Sequence, residues 1–372
     1  ARLDTLAWGA FLIPLVLTTA AGLVLLWPHE EVPSIPSGEY VSGEVTAVAA
    51  CEPVQPNCLT ALTTITDGPH AGDTTEFTMS TGPGNPEIAV GTQVTMTMDT
   101  MDGQTTYGFS DVKRSQPLIV LAVLFAVAVV AISRLKGVAA IAGLAVSILL
   151  LAKFVLPALI VGTSPLAVAA VGAAAIAIPS MALAHGFNLR TAVALIGTIV
   201  ALLLTLFLGT VFTAAASFTG MASEDAWYLQ NSGMNLTFDL KGIFIAGLVI
   251  GTLGVLNDIT ITQSAAVWEV RRANPEVTLR TMYSAGMRVG RDHVSATVNT
   301  LVLAYIGATL PLFLILVMSQ APLSRSLTNE VIATEIVRSL VGGLGIIAAI
   351  PVTTLLAAWV LSRSHEEVDE TF

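Results

Sequence analysis

The chain has 372 residues, of which 54% are hydrophobic and only 11% are charged, and its mean hydropathy is +0.79. This composition excludes an ordinary soluble domain, and the net charge of −10 argues against nucleic acid as a partner. Apolar segments long enough to cross a bilayer recur after residue 116, which predicts a polytopic α-helical membrane protein with about eight transmembrane helices.

The first apolar segment covers residues 6–27 and contains Pro14. It is longer than the apolar core of a typical signal peptide, and no small-x-small cleavage site follows it. We therefore predict that residues 1–27 form a retained first transmembrane helix. A linker rich in Pro, Ser and Glu follows at 28–38.

Residues 39–113 show the alternating pattern of short β-strands rich in Val, Thr, Met and Phe. Turn signals separate the strands, among them Gly-Pro-Gly-Asn-Pro at 82–86 and the Asp102-Gly103 pair. The predicted strands are 40–50, 59–66, 74–80, 92–99 and 105–113. Five short strands predict a small all-β domain, an OB-like barrel. Because it has few basic or aromatic residues, we expect a structural or protein-contacting module.

The two cysteines, Cys51 and Cys58, both lie in this polar segment. Two cysteines are too few for a zinc site, which needs about four ligands. A close pair in a polar loop forms a disulfide when that loop is exported. We therefore predict a Cys51–Cys58 disulfide and place the β-domain outside the cytoplasm.

The region 117–361 is predicted to form a transmembrane domain of seven helices, each near or above the roughly 20 residues that a bilayer core requires. The predicted helices are 117–133, 138–162, 164–184, 191–217, 241–266, 294–318 and 335–361. With the first helix they place most Lys and Arg residues on one side, which the positive-inside rule makes cytoplasmic. Both termini, including an acidic tail at 362–372, are then cytoplasmic.

The connector at 270–292 contains five arginines, and its apolar residues recur mostly at three- and four-residue steps. This pattern predicts a cytoplasmic amphipathic helix, with Pro275 and Glu276 in its first turn. We favour contact of the arginines with anionic lipid headgroups over docking of a soluble partner.

One ionisable residue, Asp258, interrupts the apolar segment 241–266. Gly254, Asp258 and Thr262 follow at four-residue steps, so they share one small and polar face of the helix. A carboxylate at mid-bilayer costs roughly 2.5 to 3.5 kcal/mol on insertion scales. We therefore expect this face to point into the interior of the helix bundle.

The partner of this face is predicted on the segment 294–318, which has a stripe of small and polar residues. The candidate site residues are Asn257, Asp258, Thr262, Ser295, Asn299 and Thr300. Either they form a proton-responsive core, or they only hold two helices together. We favour the first interpretation, because an aspartate introduces a charge that packing does not require.

Glu335 and Arg338 lie one helical turn apart at the outer start of the last segment. We predict a local i,i+3 ion pair, with an outer gate as the alternative. The sequence shows no Ser-His-Asp arrangement, Walker loop, metal-ligand spacing or nucleotide fingerprint, so we predict no catalytic site, metal or cofactor. The weakest alternative is a lipid-modifying enzyme with Glu224, Asp225 and His70 as its candidates.

The run GTLGVLNDITITQSAAVWE at 251–269, together with RSLVGGLG at 338–345, resembles the YibE/F family of bacterial membrane proteins. More distantly, the Asp258 segment, its basic connector and the next helix are similar to the central helix pair of SecF and RND permeases. These resemblances imply a bacterial cytoplasmic membrane protein in which Asp258 responds to protons and the β-domain moves. They also imply a homodimer or a second half-permease.

We therefore expect a membrane transport or secretion-accessory protein, coupled to protons through the buried carboxylate. The alternative is a non-transporting cell-envelope scaffold or sensor whose β-domain binds an envelope protein.

Overall fold

The computed structural model describes residues 2–30, 32–33, 39–51, 57–101, 104–231 and 238–363. The predicted Asp102-Gly103 turn, part of the 28–38 linker and most of the acidic tail lie outside the described residues. The chain divides into two compact units. One contains residues 34–132, and the other contains residues 1–33 and 133–372.

The first unit contains the predicted strands, each within two residues of its expected ends. They are β1 (Glu39–Ala50), β2 (Cys58–Ile65), β3 (Thr74–Ser80), β4 (Gln93–Met101) and β5 (Gln104–Val112). Every pairing is antiparallel, and the strand order is β3-β2-β1-β4-β5. The edge strands β3 and β5 meet through Phe77 and Phe109, whose ring centroids are 5.3 Å apart. The five strands therefore form a nearly closed barrel, as predicted.

The barrel core follows from the alternation of the strands, which sends every second side chain inward. Val41, Ala61 and Met96 are buried from three adjacent strands. The Cys51–Cys58 disulfide is confirmed, with a Cα–Cα distance of 5.6 Å. It joins the end of β1 to the start of β2, so it fixes the connection between the two strands.

The helices are α1 (Arg2–Leu26), α2 (Ser115–Leu150), α3 (Leu156–Ile160), α4 (Pro165–His185), α5 (Leu189–Ala215), α6 (Glu224–Asn231), α7 (Leu240–Ala273), α8 (Leu279–Ala308), α9 (Leu310–Met318), α10 (Leu323–Leu327) and α11 (Glu330–Arg363). The bounds of α4 and α5 match the prediction within two residues, whereas α7 extends beyond its predicted end and the predicted helix 294–318 is divided between α8 and α9. Arg134 has non-helical backbone angles, so α2 is broken where the sequence predicts the boundary between two helices. A π-helical turn at Leu151–Val155 connects α2 to α3.

Within the described residues, five helical segments are long and apolar enough to cross a membrane. A sixth is obtained if α8 and α9, which meet at a bend of 69°, are counted as one span. In this count Ser115–Ile160 is one segment despite the break at Arg134, and α1 contributes a shorter apolar stretch, Leu12–Leu26.

The connector at 270–292 differs from the prediction. The helix α7 continues to Ala273, and α8 begins only at Leu279, where Thr278 caps it by accepting from the Thr281 N–H. Pro275 and Glu276 therefore lie in a short turn and not in a helical first turn. From Leu279 the chain stays helical to Ala308, so the predicted amphipathic helix and the following apolar helix are one element.

The core of the second unit is the packing of α5, α7 and α11. A Cβ added at Gly197 of α5 would overlap Thr353 of α11, and one added at Gly345 of α11 would overlap Thr205 of α5. Small residues at these crossings let the helix backbones approach closely. Close packing of this kind stabilises contacts between helices in lipid, where burying apolar surface contributes little. Thr198 of α5 and Thr260 of α7, both fully buried, hydrogen-bond to each other at 2.7 Å.

Candidate functional site

The fully buried polar residues of α7 are Thr252, Thr260, Gln263 and Ser264, and they face the bundle interior. Ser264 donates to the carbonyl of Arg190 at 3.0 Å, which ties α7 to the start of α5. Gln263 Nε2 donates to the carbonyl of Gly286 and to Thr354 Oγ1, each at 2.7 Å. One amide therefore joins α7, α8 and α11, and this interior layer is distinct from the predicted site.

Asp258 lies on the opposite side of α7, and within this single chain it is exposed. The expectation that its face points into the bundle interior is therefore wrong for one copy of the chain. The reason is the helical period: the buried residues Leu256, Ile259, Thr260 and Gln263 define the interior face, which leaves Asp258 outside. Among the described residues, no hydrogen bond or ion pair reaches its carboxylate.

The other predicted residues of α7 adjoin Asp258 but do not bind its carboxylate. Thr262 is half-buried and donates its hydroxyl to the backbone carbonyl of Asp258 at 2.7 Å. Asn257 is also half-buried, and within the part of the chain that the structure describes its Oδ1 is buried without a hydrogen-bond partner.

The predicted stripe on α8 is also exposed. Ser295, Asn299 and Thr300 all lie on the outer surface of the second unit, and Thr300 donates to the carbonyl of Ala296 at 2.9 Å. The structure therefore places the two predicted stripes on neighbouring helices of one unit. It does not bring their polar side chains into contact.

Contacts between the helices fix the relative depth of the two stripes. Gln263 touches α8 at Gly286 and Gly290, while Thr252 and Leu301 both pack against Gly342 of α11. The helices α7 and α8 run in opposite directions, and the two sets of contacts align their residues along the helix axes. In this alignment Asp258 lies within about one helical turn of Ser295, measured along the axes. The carboxylate and the hydroxyl thus lie at a similar level along the two helices, and each is exposed.

His185, the last residue of α4, lies close enough to Asp258 for their charges to interact. Arg190 and Lys136 also act on His185. Asp258 therefore has a titratable neighbour at the end of α4, although the sequence alone places His185 only at a helix end.

Glu335 and Arg338 contact each other on α11, one helical turn apart. Arg338 Nη2 lies 3.6 Å from Glu335 Oε1, at i,i+3 spacing on α11. The guanidinium of Arg338 also lies over the ring of Phe244 on α7, 5.4 Å from its centroid. This cation–π contact gives the arginine a packing role in addition to the ion pair.

A second contact near the start of α11 is not anticipated from the sequence. Glu330, at the start of α11, accepts hydrogen bonds from the backbone N–H groups of Thr219 and Gly220 at 2.7 and 2.9 Å. It also accepts from the Thr219 hydroxyl. More than a hundred residues separate the partners, so no local pattern indicates the pair.

An apolar cleft of about 290 Å³ lies between α1, α4 and α5. Leu12, Val16, Ile178, Ala182 and Leu195 line it, and none of the predicted site residues does. Within the described residues, no group of three or more His, Cys, Asp or Glu side chains could hold a metal ion.

These features define the class of the protein: within the described residues it has five or six helical segments that are long and apolar enough to cross a membrane, together with a small β-barrel that contains a disulfide. The family model for YibE/F-like proteins matches residues 121–363, and the chain belongs to this family. No curated protein and no solved structure matches it.

Proposed function

We propose that this YibE/F-like chain is a membrane transport or secretion-accessory protein in which protonation of Asp258 changes helix packing. The observation that carries the proposal is the position of Asp258 in the middle of α7. There it lies on a face without large apolar side chains, and no described residue pairs with its carboxylate. A charge at this depth is costly, and a proton removes it. Asp258 is therefore a group whose protonation can select between two packing states of the helices.

The membrane arrangement belongs to the same proposal. The break at Arg134 divides Ser115–Ile160 into two helices, and α1 adds one more. Together with α4, α5, α7, the bent pair α8–α9 and α11, this gives eight spans. The positive-inside rule then places both termini in the cytoplasm of a bacterial cell and the OB-like barrel outside. The disulfide supports the placement of the barrel outside the cytoplasm, because disulfides persist in oxidising compartments.

The likeness to SecF and RND permeases is part of this proposal as an analogy of fold. It is supported by the order of an Asp-bearing helix that ends in two arginines, a short turn and a Ser/Thr-bearing helix, seen in α7 and α8.

Infrared difference spectroscopy across pH tests the proposal on the full chain reconstituted in vesicles. We expect a pH-dependent carboxyl band that is absent from Asp258→Asn. Asp292→Asn, an exposed aspartate on α8, is the matched control and should retain the band. The imidazole of His185 interacts with the charge of Asp258. The variant His185→Gln removes this imidazole, so it shows whether the pH-dependent signal comes from the carboxyl or from the histidine. A carboxyl band of Asp258 that does not change between about pH 5 and pH 9 would contradict the proposal.

The second candidate is a non-transporting scaffold or sensor in which the β-domain binds an envelope protein. One observation favours it: residues 39–113 contain ten Asp and Glu residues and one Lys, so the barrel carries a net charge of −9, which is nearly the whole net charge of the chain. A surface of one sign steers oppositely charged partners. In that case a basic envelope protein should bind in a salt-dependent way, and Asp258→Asn should leave binding unchanged.

A further inference from the structure

The apolar cleft between α1, α4 and α5 belongs neither to the predicted site nor to the buried polar layer of α7. Its volume is about 290 Å³, which is at the lower end of the range for small-molecule sites in proteins. Along α4 its lining extends from Ile178 to Gly186, which is about 12 Å along the helix axis. This length and this volume suit one segment of a hydrocarbon chain.

The walls of the cleft are apolar. Among the described residues that line it, only Asn188 and Thr191 have polar side chains. The Asn188 side chain accepts from the backbone N–H and the hydroxyl of Thr191, and it donates to the carbonyl of His185 at 2.8 Å. These groups are therefore used within the turn between α4 and α5. A polar solute in the cleft would lose its hydrogen bonds to water without replacing them.

Basic side chains gather at the end of the cleft where the chain turns from α4 into α5. His185 and Arg190 flank this turn, and its residues 186–188 all line the cleft. The charges of Arg190 and Lys136 both act on His185, and so does the carboxylate of Asp258. Within the described part of the chain, the charged groups that act on His185 are thus two cations and one acid. This end of the cleft therefore has an excess of positive charge.

We propose that the cleft binds an acyl chain of an anionic phospholipid, with the lipid phosphate beside Arg190 and Lys136. Ile13, Leu17 and Phe187 line the cleft and are exposed, so a lipid can enter from the bilayer. Basic pockets between transmembrane helices on the cytoplasmic side suit anionic headgroups, since each cation adds to the attraction. The inference uses the membrane arrangement of the proposed function and goes beyond it, because it adds a lipid ligand.

The apolar walls and the basic turn identify this ligand together. A soluble anion would pair with the cations but would leave the apolar walls of the cleft unused. A neutral lipid would fill the walls but would make no use of the positive charge at the turn. A helix of another protein is about 10 Å wide with its side chains, so it needs far more room than this cleft offers. An acyl chain linked to an anionic headgroup matches both parts.

Native mass spectrometry of the full chain in mild detergent tests the inference. Phosphatidylglycerol and phosphatidylcholine with identical acyl chains compete in equal amounts for the protein. We expect the chain to retain one phosphatidylglycerol, with a preference of about tenfold over phosphatidylcholine. Arg190→Gln should lower this preference about fivefold, because one cation beside the headgroup is removed. Arg280→Gln, which removes an exposed cation at the start of α8, is the matched control and should leave the preference unchanged.

A substitution on α1 tests the binding of the acyl chain. Val16 lines the cleft and is exposed, so Val16→Phe should narrow the cleft and lower the retention of both lipids to a similar extent. Val24→Phe, at another exposed position of α1 that does not line the cleft, is the matched control and should retain both lipids. Because both positions are exposed, neither variant should change the thermal stability, and thermal unfolding verifies this.

Equal retention of the two lipids by the wild-type chain would overturn the inference. So would the same loss of preference in Arg280→Gln as in Arg190→Gln, because anionic lipid would then bind the basic surface in general. Equal effects of Val16→Phe and Val24→Phe would show that the cleft does not hold the acyl chain. The lipid preference is measured independently of the Asp258 carboxyl band. A preference that depends on Arg190 and Val16, together with a pH-independent Asp258 band, would support the lipid site and remove the proton coupling.

Discussion

Gln263 of α7 and Gly286 of α8 are joined by a hydrogen bond of 2.7 Å between the side-chain amide and the backbone carbonyl. The glycine makes this contact possible, because a Cβ added there would lie 2.6 Å from Thr354 Cγ2 and 2.9 Å from Val267 Cγ2. The second hydrogen of the amide goes to Thr354 Oγ1 of α11. Three helices therefore meet at one fully buried side chain, on the side of α7 that faces away from Asp258.

We predict that Gln263→Leu destabilises the protein by about 1–2 kcal/mol, because two buried hydrogen bonds are lost while the volume is kept. Gln263→Ala should cost about 2–5 kcal/mol, since it also leaves a cavity. Thermal unfolding in detergent measures both. Gln230→Leu, at an exposed position on α6, is the control and should change stability little. Equal effects of Leu and Ala at position 263 would contradict the cavity argument.

Gly345 and Gly343 on α11 should respond oppositely to alanine. A Cβ at position 345 overlaps Thr205 Oγ1 of α5, whereas a Cβ at position 343 meets no described atom within 4 Å. We expect Gly345→Ala to destabilise by about 1–3 kcal/mol through overpacking. Gly343→Ala should be neutral or stabilising by up to about 1 kcal/mol, because alanine favours the helix.

Adding Thr205→Ala to Gly345→Ala separates the clash from other effects of a mutation in α11. Removing the Thr205 hydroxyl takes away the overlapping atom, and the remaining Cβ lies at an ordinary distance of 3.5 Å. The double variant should recover most of the thermal stability lost by Gly345→Ala. Simple addition of the two single losses would show that the overlap is not the cause.

Local patterns predict much of this fold. The alternation of residue types from Tyr40 onward and the turn signals predict all five strands. They do so because each strand buries one face and exposes the other, so buried and exposed residues alternate in the sequence. The disulfide follows from the close spacing of Cys51 and Cys58. The apolar runs give the helices, since membrane helices require length and composition more than specific partners.

The orientation of α7 could not be predicted in the same way. Most of its residues are apolar, so hydropathy does not define which side is interior, and Asp258 was the more conspicuous polar residue. The buried partners are Gln263, Thr354 and Gly286, which are far apart in sequence. Gln263, five residues after Asp258, was the signal in the sequence for the interior face. A side-chain amide in an apolar helix requires hydrogen-bond partners, which the helix bundle supplies.

Glu330 is predicted to hold the loop after α5 against the start of α11. Its carboxylate accepts from two backbone N–H groups, and hydrogen bonds to a charged group contribute about 1.5–3 kcal/mol each when they are shielded from water. The exposed position of Thr219 reduces this, so we expect Glu330→Ala to raise amide hydrogen exchange of the 217–222 segment about tenfold. Mass spectrometry measures it. Glu224→Ala, in the adjacent α6, should leave that segment unchanged.

Asp67 should make the stability of the β-barrel acid-sensitive. The backbone N–H of Ser42, then its side chain and the charge of Lys113, lower the pKa of Asp67. A carboxylate with a lowered pKa stabilises the fold above its unfolded pKa of about 3.9, and this contribution disappears as pH falls through the folded pKa. Hydrogen exchange of β1 in the full chain, corrected for intrinsic rates, should therefore accelerate below about pH 4.

Asp67→Asn should reduce the acceleration of hydrogen exchange in β1 at low pH. The amide of asparagine does not titrate, so the contribution of the contact between residue 67 and Ser42 no longer depends on pH. Ser42→Ala should keep much of the response, since the backbone N–H is the largest cause of the lowered pKa and remains in place. Asp111, whose pKa is lowered mainly by its hydrogen bond with Arg114, supplies a separate contribution at the end of β5. An unchanged acid response in Asp67→Asn would assign the acid sensitivity of the barrel to Asp111 and the remaining carboxylates.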